Sequence, residues 1–269
     1  MSTPFLSVSN VHRSFGGAIA VNNASFRVER GSITGLIGPN GAGKTTVFNL
    51  ISGFLRPESG SIEFDGHQIG KLSPNAVASM GLVRTFQIPK VFTRLTVLEN
   101  MMLAARHQPG EVFGAALFRP GRVSRREGEI REQANRLLDL VKLNHIAQDY
   151  AGELSGGQRK LLEYGRALMT EPRMVLLDEP MAGVAPPLGL QLLERILELR
   201  AAASTTFLVV EHNMDALMAI ADRVVVMDEG RVISHGTPLE VQQDPLVMRA
   251  YLGMRTPPSL SRSAGVVEK

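Results

Sequence analysis

A glycine-rich segment between an apolar run and a helical pattern is the feature that most constrains this chain. Residues 38–46, GPNGAGKTT, contain the complete spacing G-x-x-x-x-G-K-T, whose fixed positions are Gly38, Gly43, Lys44 and Thr45. The apolar run ITGLI (33–37) precedes this segment, and a helical pattern (45–54) follows it. Glycines let the backbone fold tightly around an anion at the positive end of a helix dipole. The sequence therefore predicts a buried strand, a phosphate-binding loop and a helix in succession.

The loop predicts a nucleotide site in which the backbone amides, the Lys44 ammonium and the Thr45 hydroxyl each have a role. The amides of residues 41–46 are expected to point at phosphate oxygens. Lys44 is expected to reach the β- and γ-phosphates of ATP, and the Thr45 hydroxyl to ligate Mg²⁺. The alternative is a glycine-rich turn without a ligand, which the strand–loop–helix context disfavours. The predicted nucleotide contacts are Gly38, Pro39, Asn40, Gly41, Ala42, Gly43, Lys44, Thr45 and Thr46.

Two carboxylates follow a second apolar run, RMVLLDE (173–179). Asp178 stands at the C-terminal end of the predicted strand, where ligands bind in open α/β sheets. We expect it to hold Mg²⁺, and we expect Glu179 to polarise an attacking water. The alternative is that the two carboxylates are only a polar exit from the strand.

The order of the remaining patterns predicts an α/β fold. Apolar strand candidates at 173–178, 205–210 and 223–228 alternate with helical patterns at 188–201 and 213–221. This succession predicts a parallel sheet covered by helices on both faces. Near the N-terminus, loosely alternating segments and a hairpin around SIEFDG predict antiparallel strands instead.

Composition excludes several other classes of protein. The 269 residues include no cysteine, which excludes disulfides, a thiol nucleophile and thiolate zinc sites. A net charge of +3 and 5% aromatic residues do not predict a nucleic-acid binder. No stretch approaches the roughly 18 apolar residues of a membrane-spanning helix, and no signal-peptide pattern opens the chain. We therefore expect a soluble protein whose membrane role, if any, passes through a partner.

The segment LSGGQRKLLEYGRALM, which begins at Leu154, resembles the signature sequence of the ABC ATPases, with LSGGQ matched letter for letter. The resemblance extends over about residues 5–253. It implies that residues 5–87 and 166–253 form a P-loop ATPase core together with an antiparallel β subdomain, and that residues 88–165 form a helical subdomain. The polar residues 254–269 are expected to form a disordered tail.

The same resemblance implies that two ATPase subunits share each nucleotide. A serine hydroxyl and glycine amides at a helix start form a second anion site. In the family this site closes the nucleotide of a facing subunit, which is a copy of the chain or a homologue. The alternative is that Ser155 only caps a helix and the glycines only form a turn. The residues in question are Ser155, Gly156, Gly157 and Gln158.

Three further roles are implied by resemblance alone. Gln87 in RTFQ is similar to the glutamine that senses Mg²⁺, and His212 is similar to the histidine that contacts the γ-phosphate. Phe15 matches the aromatic residue that stacks on adenine. The alternative for His212 is a structural role, which is the more common one for a lone histidine after a strand. The alternative for Phe15 is an ordinary half-buried phenylalanine. One departure is Ala185, where the family usually has an aspartate that couples the two sites. This departure points to a different, homologous chain in the dimer, and a dimer of two identical chains is the alternative.

Longer matching stretches, among them GTPLEVQQDPLVMRAYLG (236–253), resemble the ATPase of bacterial branched-chain amino acid importers. That resemblance implies two permease subunits, a periplasmic solute-binding protein and a place at the cytoplasmic face of the inner membrane. Related ATPases for urea or short amides, a non-transport ABC ATPase and a module holding ATP as a structural ligand are the alternatives. The insert 107–126 contains the apolar run VFGAALF (112–118), which is either a surface for the permeases or a core-packed excursion.

Overall fold

The computed structural model describes residues 4–85, 91–105, 120–182 and 186–252. The strands within these ranges are β1 Leu6–Phe15, β2 Ala18–Val28, β3 Ile33–Ile37, β4 Ser59–Phe64, β5 His67–Gln68, β6 Leu82–Arg84, β7 Met174–Asp178, β8 Thr206–Val210, β9 Arg223–Asp228 and β10 Arg231–Gly236. The α-helices there are α1 Lys44–Ile51, α2 Pro74–Ser79, α3 Val97–Leu103, α4 Pro120–Leu140, α5 Gly156–Leu168, α6 Pro186–Ala203, α7 Met214–Ile220, α8 Pro238–Gln243 and α9 Pro245–Leu252.

A six-stranded sheet in the order β10-β9-β3-β8-β7-β6 forms the centre of the fold. Its strands β6, β7, β8, β3 and β9 run parallel, as the alternation of strands and helices predicts. Every residue of β3, β7 and β8 is buried. Strands covered on both faces lose their solvent side, which is why these segments are continuous apolar runs and not alternating ones. The predicted parallel sheet is thus confirmed.

The two edges of this sheet were not predicted. At one edge β10 pairs antiparallel with β9 through a two-residue turn, in which Glu229 and Gly230 have φ angles of 44° and 78°. Positive φ at both central positions is the conformation of a tight hairpin turn. At the other edge β6 contains only three residues. β6 is too short to be predicted as a strand, and the sequence RVISHG of β10 lacks the continuous apolar run of the central strands.

A second sheet, in the order β2-β1-β4-β5, is antiparallel and packs over one side of the central sheet. The core between them joins Phe5 and Phe64, whose ring centroids are 4.7 Å apart, to Phe48 of α1 and Leu208 of β8. The β4–β5 turn is the predicted Asp-Gly hairpin turn, with φ angles of 47° at Asp65 and 78° at Gly66.

The opposite face of the central sheet shares one apolar core with the helices of the middle of the chain. Leu138 of α4, Leu162 of α5 and Met101 of α3 belong to the same buried cluster as Ile37 and Val209. This continuity explains how the middle helices are held on the sheet. The boundaries of the helical subdomain at residues 88 and 165 stay a prediction. Within the described ranges, no helix is both long and apolar enough to span a bilayer.

Some predictions concern residues that the structure does not describe. Gln87, Ala185, the apolar run 112–118 and the tail 254–269 lie outside the described ranges.

Two glycines of β4 and its turn provide a matched test of this packing. A Cβ at Gly60, where φ is +83°, would lie 2.3 Å from the carbonyl oxygen of Asn10. At Gly66, where φ is +78°, nothing lies within 4 Å of the added atom. We expect Gly66→Ala to lower the free energy of unfolding by about 1–2 kcal/mol, the cost of a left-handed backbone.

Gly60→Ala adds a backbone collision to the same strain, so we expect a loss of about 3 kcal/mol or more. Urea unfolding monitored by circular dichroism measures both variants. Equal losses would show that the close approach of β4 to β1 is not a constraint on this position.

Candidate active site

The backbone of two strands, one from each sheet, packs closely against the phosphate loop. Gly38 and Gly43 have φ angles of 152° and 95°, which favour glycine. A Cβ at Gly38 would lie 2.1 Å from the carbonyl oxygen of Met227 in β9, and one at Gly43 would lie 2.3 Å from that of Ala20 in β2. Both positions therefore require glycine for two reasons. Their backbone conformation favours glycine, and a side chain there would collide with the backbone of β9 or β2.

Lys44 folds back over the loop from the first turn of α1. Its ammonium donates hydrogen bonds to the carbonyl oxygens of Gly38 at 2.7 Å and Pro39 at 2.9 Å. The side chain is buried, and this desolvation lowers the pKa of Lys44, while Glu179 and Asp178 act in the opposite direction. The positive charge therefore lies inside the turn of the loop, where a phosphate would be bound.

A groove of about 220 Å³ lies over the loop. It brings together residues from four separated parts of the sequence. Three of these parts meet because the parallel strands end at the same edge of the sheet, and the fourth, Ala20, comes from β2 of the antiparallel sheet. Larger grooves of about 520 and 620 Å³ lie elsewhere and contain no residue of the loop. The residues that line the groove over the loop are Ala20, Asn40, Gly41, Ala42, Gly43, Lys44, Thr45, Thr46, Glu179 and His212.

Asp178 is buried at the end of β7 and keeps one carboxylate oxygen without a hydrogen-bond partner, Oδ1. The other oxygen, Oδ2, accepts from the Arg84 guanidinium at 2.7 Å. A buried, unsatisfied carboxylate oxygen is costly unless a ligand completes it. Among the described residues no group of three or more His, Cys, Asp or Glu side chains could hold an ion alone. Asp178 therefore fits a cation whose other ligands come largely from a bound molecule, which is the usual arrangement for Mg²⁺ with a nucleotide.

Arg84 was not predicted as a site residue. It lies at the end of β6 and donates to Asn49 Oδ1 of α1 at 2.6 Å as well as to Asp178. It thereby connects β6, β7 and the helix after the phosphate loop. The signal that could have found it is a charged residue directly after an apolar pair, in LVR, at the carboxyl edge of the sheet.

Glu179 and His212 are in direct contact. His212 Nε2 lies 2.8 Å from Glu179 Oε1. The two residues follow β7 and β8, which are neighbours in the sheet, with Asp178 paired to Val210. Glu179 has a φ of 49°, which is rare for a residue with a side chain and costs about 1–2 kcal/mol. The structure thus brings the predicted base and the predicted histidine together beside the phosphate loop.

Glu211 is a further residue that the sequence did not single out. It is buried, and its carboxylate accepts the backbone amides of Met181 at 2.6 Å and His212 at 3.0 Å. Glu211 therefore fixes the distance between the backbone that follows Glu179 and the backbone of His212.

The signature residues form a capped helix start. Ser155 Oγ accepts the Gln158 amide at 3.3 Å, and Gln158 Oε1 accepts the Ser155 amide at 2.8 Å. This reciprocal pair is a capping box, so the capping role considered for Ser155 is real. Ser155 and Gly156 are also exposed to solvent, and none of residues 155–158 lines the groove over the phosphate loop of the same chain.

Phe15 lies at the end of β1 and is 46% exposed. The Arg13 guanidinium carbon is 5.0 Å from the centroid of its ring, which is a cation–π distance. Phe15 does not line the groove over the loop, whereas Ala20 of β2 does. Adenine stacking on Phe15 therefore stays a prediction.

Tyr251 of α9 reaches the start of the phosphate loop. Burial raises the pKa of Tyr251 to about 12, and the nearby Gly38 backbone acts in the opposite direction. The ring packs against the core cluster that contains Ile37 and Val226. This contact was not predicted, because about 210 residues separate the two groups along the chain and only the docking of α9 brings them together.

Comparisons with known proteins show the family to which this chain belongs. A family model described as "ABC transporter" matches residues 21–182. A second, described as "Branched-chain amino acid ATP-binding cassette transporter", matches residues 231–253, which span β10, α8 and α9. The crystal structure of a nucleotide-free ATP-binding cassette from an ABC transporter is 38% identical, with a TM-score of 0.78, over 93% of this chain and 99% of that chain.

Two curated relatives are similar over nearly their whole length. The high-affinity branched-chain amino acid transport ATP-binding protein BraF of Pseudomonas aeruginosa is 41% identical over 94% of this chain and 99% of its own. The probable branched-chain amino acid transport ATP-binding protein LivG of Archaeoglobus fulgidus is 42% identical over 92% of this chain and 95% of its own.

Removing the ammonium of Lys44 tests the loop. We expect Lys44→Ala to weaken binding of ATP by about 10- to 100-fold, since a hydrogen bond to a charged group contributes about 1.5–3 kcal/mol. Equilibrium titration with a fluorescent ATP analogue measures the change. Lys71→Ala, which removes an exposed lysine from the loop before α2, is the matched control and should bind as wild type does. Equal affinity of Lys44→Ala and wild type would show that the loop does not bind the triphosphate.

Proposed function

This chain belongs to the family of ABC transporter ATP-binding subunits and hydrolyses ATP, and we propose that the transport it energises is the import of branched-chain amino acids. Relatives named for that transport are about 40% identical over nearly the whole chain, and the separate match at 231–253 carries the same description. The observation that carries the chemistry is the contact of Glu179 with His212 beside the phosphate loop.

We infer that Glu179 is the general base. Its carboxylate lines the groove over the loop, next to the space where a γ-phosphate bound by Lys44 would lie. A carboxylate placed there can accept the proton of an attacking water. His212, whose Nε2 lies 2.8 Å from Glu179 Oε1, is placed to orient that carboxylate. When a nucleotide is bound, His212 is proposed to contact its γ-phosphate. Hydrolysis then requires no covalent intermediate, because positioning and charge supply the catalysis.

Mg²⁺ fits the residues at the edge of β7. We propose that Asp178 Oδ1, the Thr45 hydroxyl and Gln87 hold the ion together with the nucleotide. Asp178 Oδ1 is unsatisfied and Thr45 lines the groove, which supports two of these assignments. When bound, Mg²⁺ neutralises charge on the β- and γ-phosphate oxygens.

Each nucleotide is proposed to lie between two ATPase subunits. Phe15 would stack on adenine, and Ser155, Gly156, Gly157 and Gln158 of the facing subunit would close the phosphates. The exposure of Ser155 and Gly156, away from the loop of their own chain, supports this arrangement. Ala185 stands where the family usually has a coupling aspartate, so we propose that the facing subunit is a different, homologous ATPase.

The remaining partners are proposed from the family. ABC transporter ATPases act with permease subunits, and we propose two of them here, served by a periplasmic solute-binding protein. The chain would then lie at the cytoplasmic face of a bacterial inner membrane. The helical subdomain, proposed as 88–165, would pass the closing and opening of the ATPase pair to the permeases. The insert 107–126 lies within that subdomain, where a surface for the permeases is expected.

Replacing the proposed base separates hydrolysis from binding. We expect Glu179→Gln to lower the rate of phosphate release by about 10²–10⁴-fold, the usual contribution of a general base. Binding of ATP and ATP-driven pairing of subunits should persist, since the amide has nearly the same shape. Glu63→Gln is the matched control, because it makes the same chemical change in β4 of the antiparallel sheet, at a residue that does not line the groove over the loop. This variant should hydrolyse ATP normally. Normal turnover by Glu179→Gln would mean that another group activates water.

The solute is tested on the native complex. We expect a tagged copy of this chain to co-purify with permeases and a second ATPase. In proteoliposomes supplied with the solute-binding protein, leucine, isoleucine or valine should stimulate ATP hydrolysis. Stimulation by urea or acetamide instead, with no response to the amino acids, would assign the complex to a related solute. Purification without any permease would contradict a role in transport.

A further inference from the structure

The middle of the signature helix α5 contacts the turn that carries the proposed base of the same chain. Residues 179–182, here called the catalytic turn, lie between β7 and α6. The Lys160 ammonium donates hydrogen bonds to the carbonyl oxygens of Glu179, at 3.2 Å, and of Ala182. The Tyr164 hydroxyl donates to the carbonyl oxygen of Pro180 at 3.3 Å. Lys160 and Tyr164 are four residues apart and so share one face of the helix.

The catalytic turn has a backbone that needs such support. Glu179 is held at a φ of 49°, and the turn closes through a hydrogen bond from the Ala182 amide to the Glu179 carbonyl at 3.1 Å. From the other side, Glu211 accepts the Met181 amide. A strained residue keeps its conformation only where its surroundings fix it. Three carbonyls of the turn are bound from α5, and one amide is bound from the end of β8.

Lys160 is itself an unusual residue for its position. It is 7% exposed, inside a run of α5 in which residues 160–165 are all buried. An ammonium buried in this way is costly unless hydrogen bonds and carboxylates satisfy it. Burial lowers the pKa of Lys160, while Glu211, Glu163 and Glu179 act to raise it. The position therefore has a specific polar function, because an apolar side chain would fill a buried helix face at lower cost.

We propose that Lys160 is a positioning residue for Glu179, acting through the backbone of the catalytic turn. This inference rests on the proposed function, in which Glu179 is the general base. Because Lys160 binds the carbonyl of Glu179 and not its side chain, the carboxylate stays free to face the groove over the phosphate loop.

The same helix then serves two nucleotide sites. Ser155 begins α5 and is proposed to contact the nucleotide of the facing subunit, whereas Lys160 lies five residues further on. At a rise of about 1.5 Å per residue, the two positions are about 7–8 Å apart along the helix axis. The capping box stabilises the helix start.

The test compares Lys160→Met with Lys160→Arg in the full chain. Methionine keeps the length and removes the donors, so we expect kcat to fall about 100-fold, the effect of a small misplacement of a catalytic group. KM for ATP should change by less than about threefold, because the phosphate loop is untouched. Arginine retains donors and should restore kcat to within about tenfold of wild type. Lys71→Met is the matched control and should hydrolyse ATP at the wild-type rate.

A second variant covers the case in which Lys160→Met does not fold. Tyr164→Phe removes one hydroxyl and keeps the packing of the ring, and we expect kcat to fall about three- to tenfold with KM unchanged. A wild-type kcat in Lys160→Met, or a rise in KM alone, would overturn the assignment. Failure of Lys160→Arg to restore any activity lost by a folded Lys160→Met would overturn it too.

Failure of this inference is distinguishable from failure of the proposed function. If wild type releases no phosphate, hydrolysis itself is misassigned. Amide hydrogen exchange, followed by mass spectrometry over residues 179–182, does not require hydrolysis. We expect exchange there to be faster in Lys160→Met than in wild type and in Lys71→Met. Unchanged exchange would show that α5 does not hold the turn, whatever the ATPase activity.

Discussion

The close contact of backbone with backbone around the phosphate loop is the constraint on which the rest of the structure depends. The carbonyl oxygens of Met227 and Ala20 occupy the space that side chains at Gly38 and Gly43 would need. Because Met227 belongs to β9 and Ala20 to β2, the loop ties the parallel sheet to the antiparallel one. Lys44, which follows Gly43, folds over the loop, and its ammonium donates hydrogen bonds to the carbonyl oxygens of Gly38 and Pro39.

The chemistry gathers at the carboxyl edge of the sheet because of strand order. With β3, β8 and β7 as neighbours, the ends of three strands place the loop, His212 and Asp178 together. Parallel strands end at one edge, so residues far apart in sequence meet there. The C-terminal segment that matches the branched-chain group comes close to the same place, since the ring of Tyr251 packs on the core cluster that contains Ile37, the residue before the phosphate loop. The C-terminal segment therefore lies close to the phosphate loop, although β10 is at an edge of the sheet.

Buried polar groups hold this edge in one arrangement. Arg84 connects Asp178 to Asn49, and Glu211 connects the amides of Met181 and His212. Such groups are expensive to bury singly but define one geometry when they are bonded. The unsatisfied Oδ1 of Asp178 is the exception, and it lies where a cation would accompany a nucleotide.

The sequence alone determined the local elements and predicted the groups that are proposed to bind phosphate. The apolar runs ITGLI and RVVVMD predicted β3 and β9 with the observed bounds, and the Asp-Gly pair predicted its hairpin turn, because periodicity and turn chemistry are local properties. Only the tertiary structure decided the short strand β6, the edge strand β10 and the partners of Arg84, Glu211 and Lys160. Those contacts join residues that are distant in the chain, and their distances follow from strand order and helix docking, which no local pattern specifies.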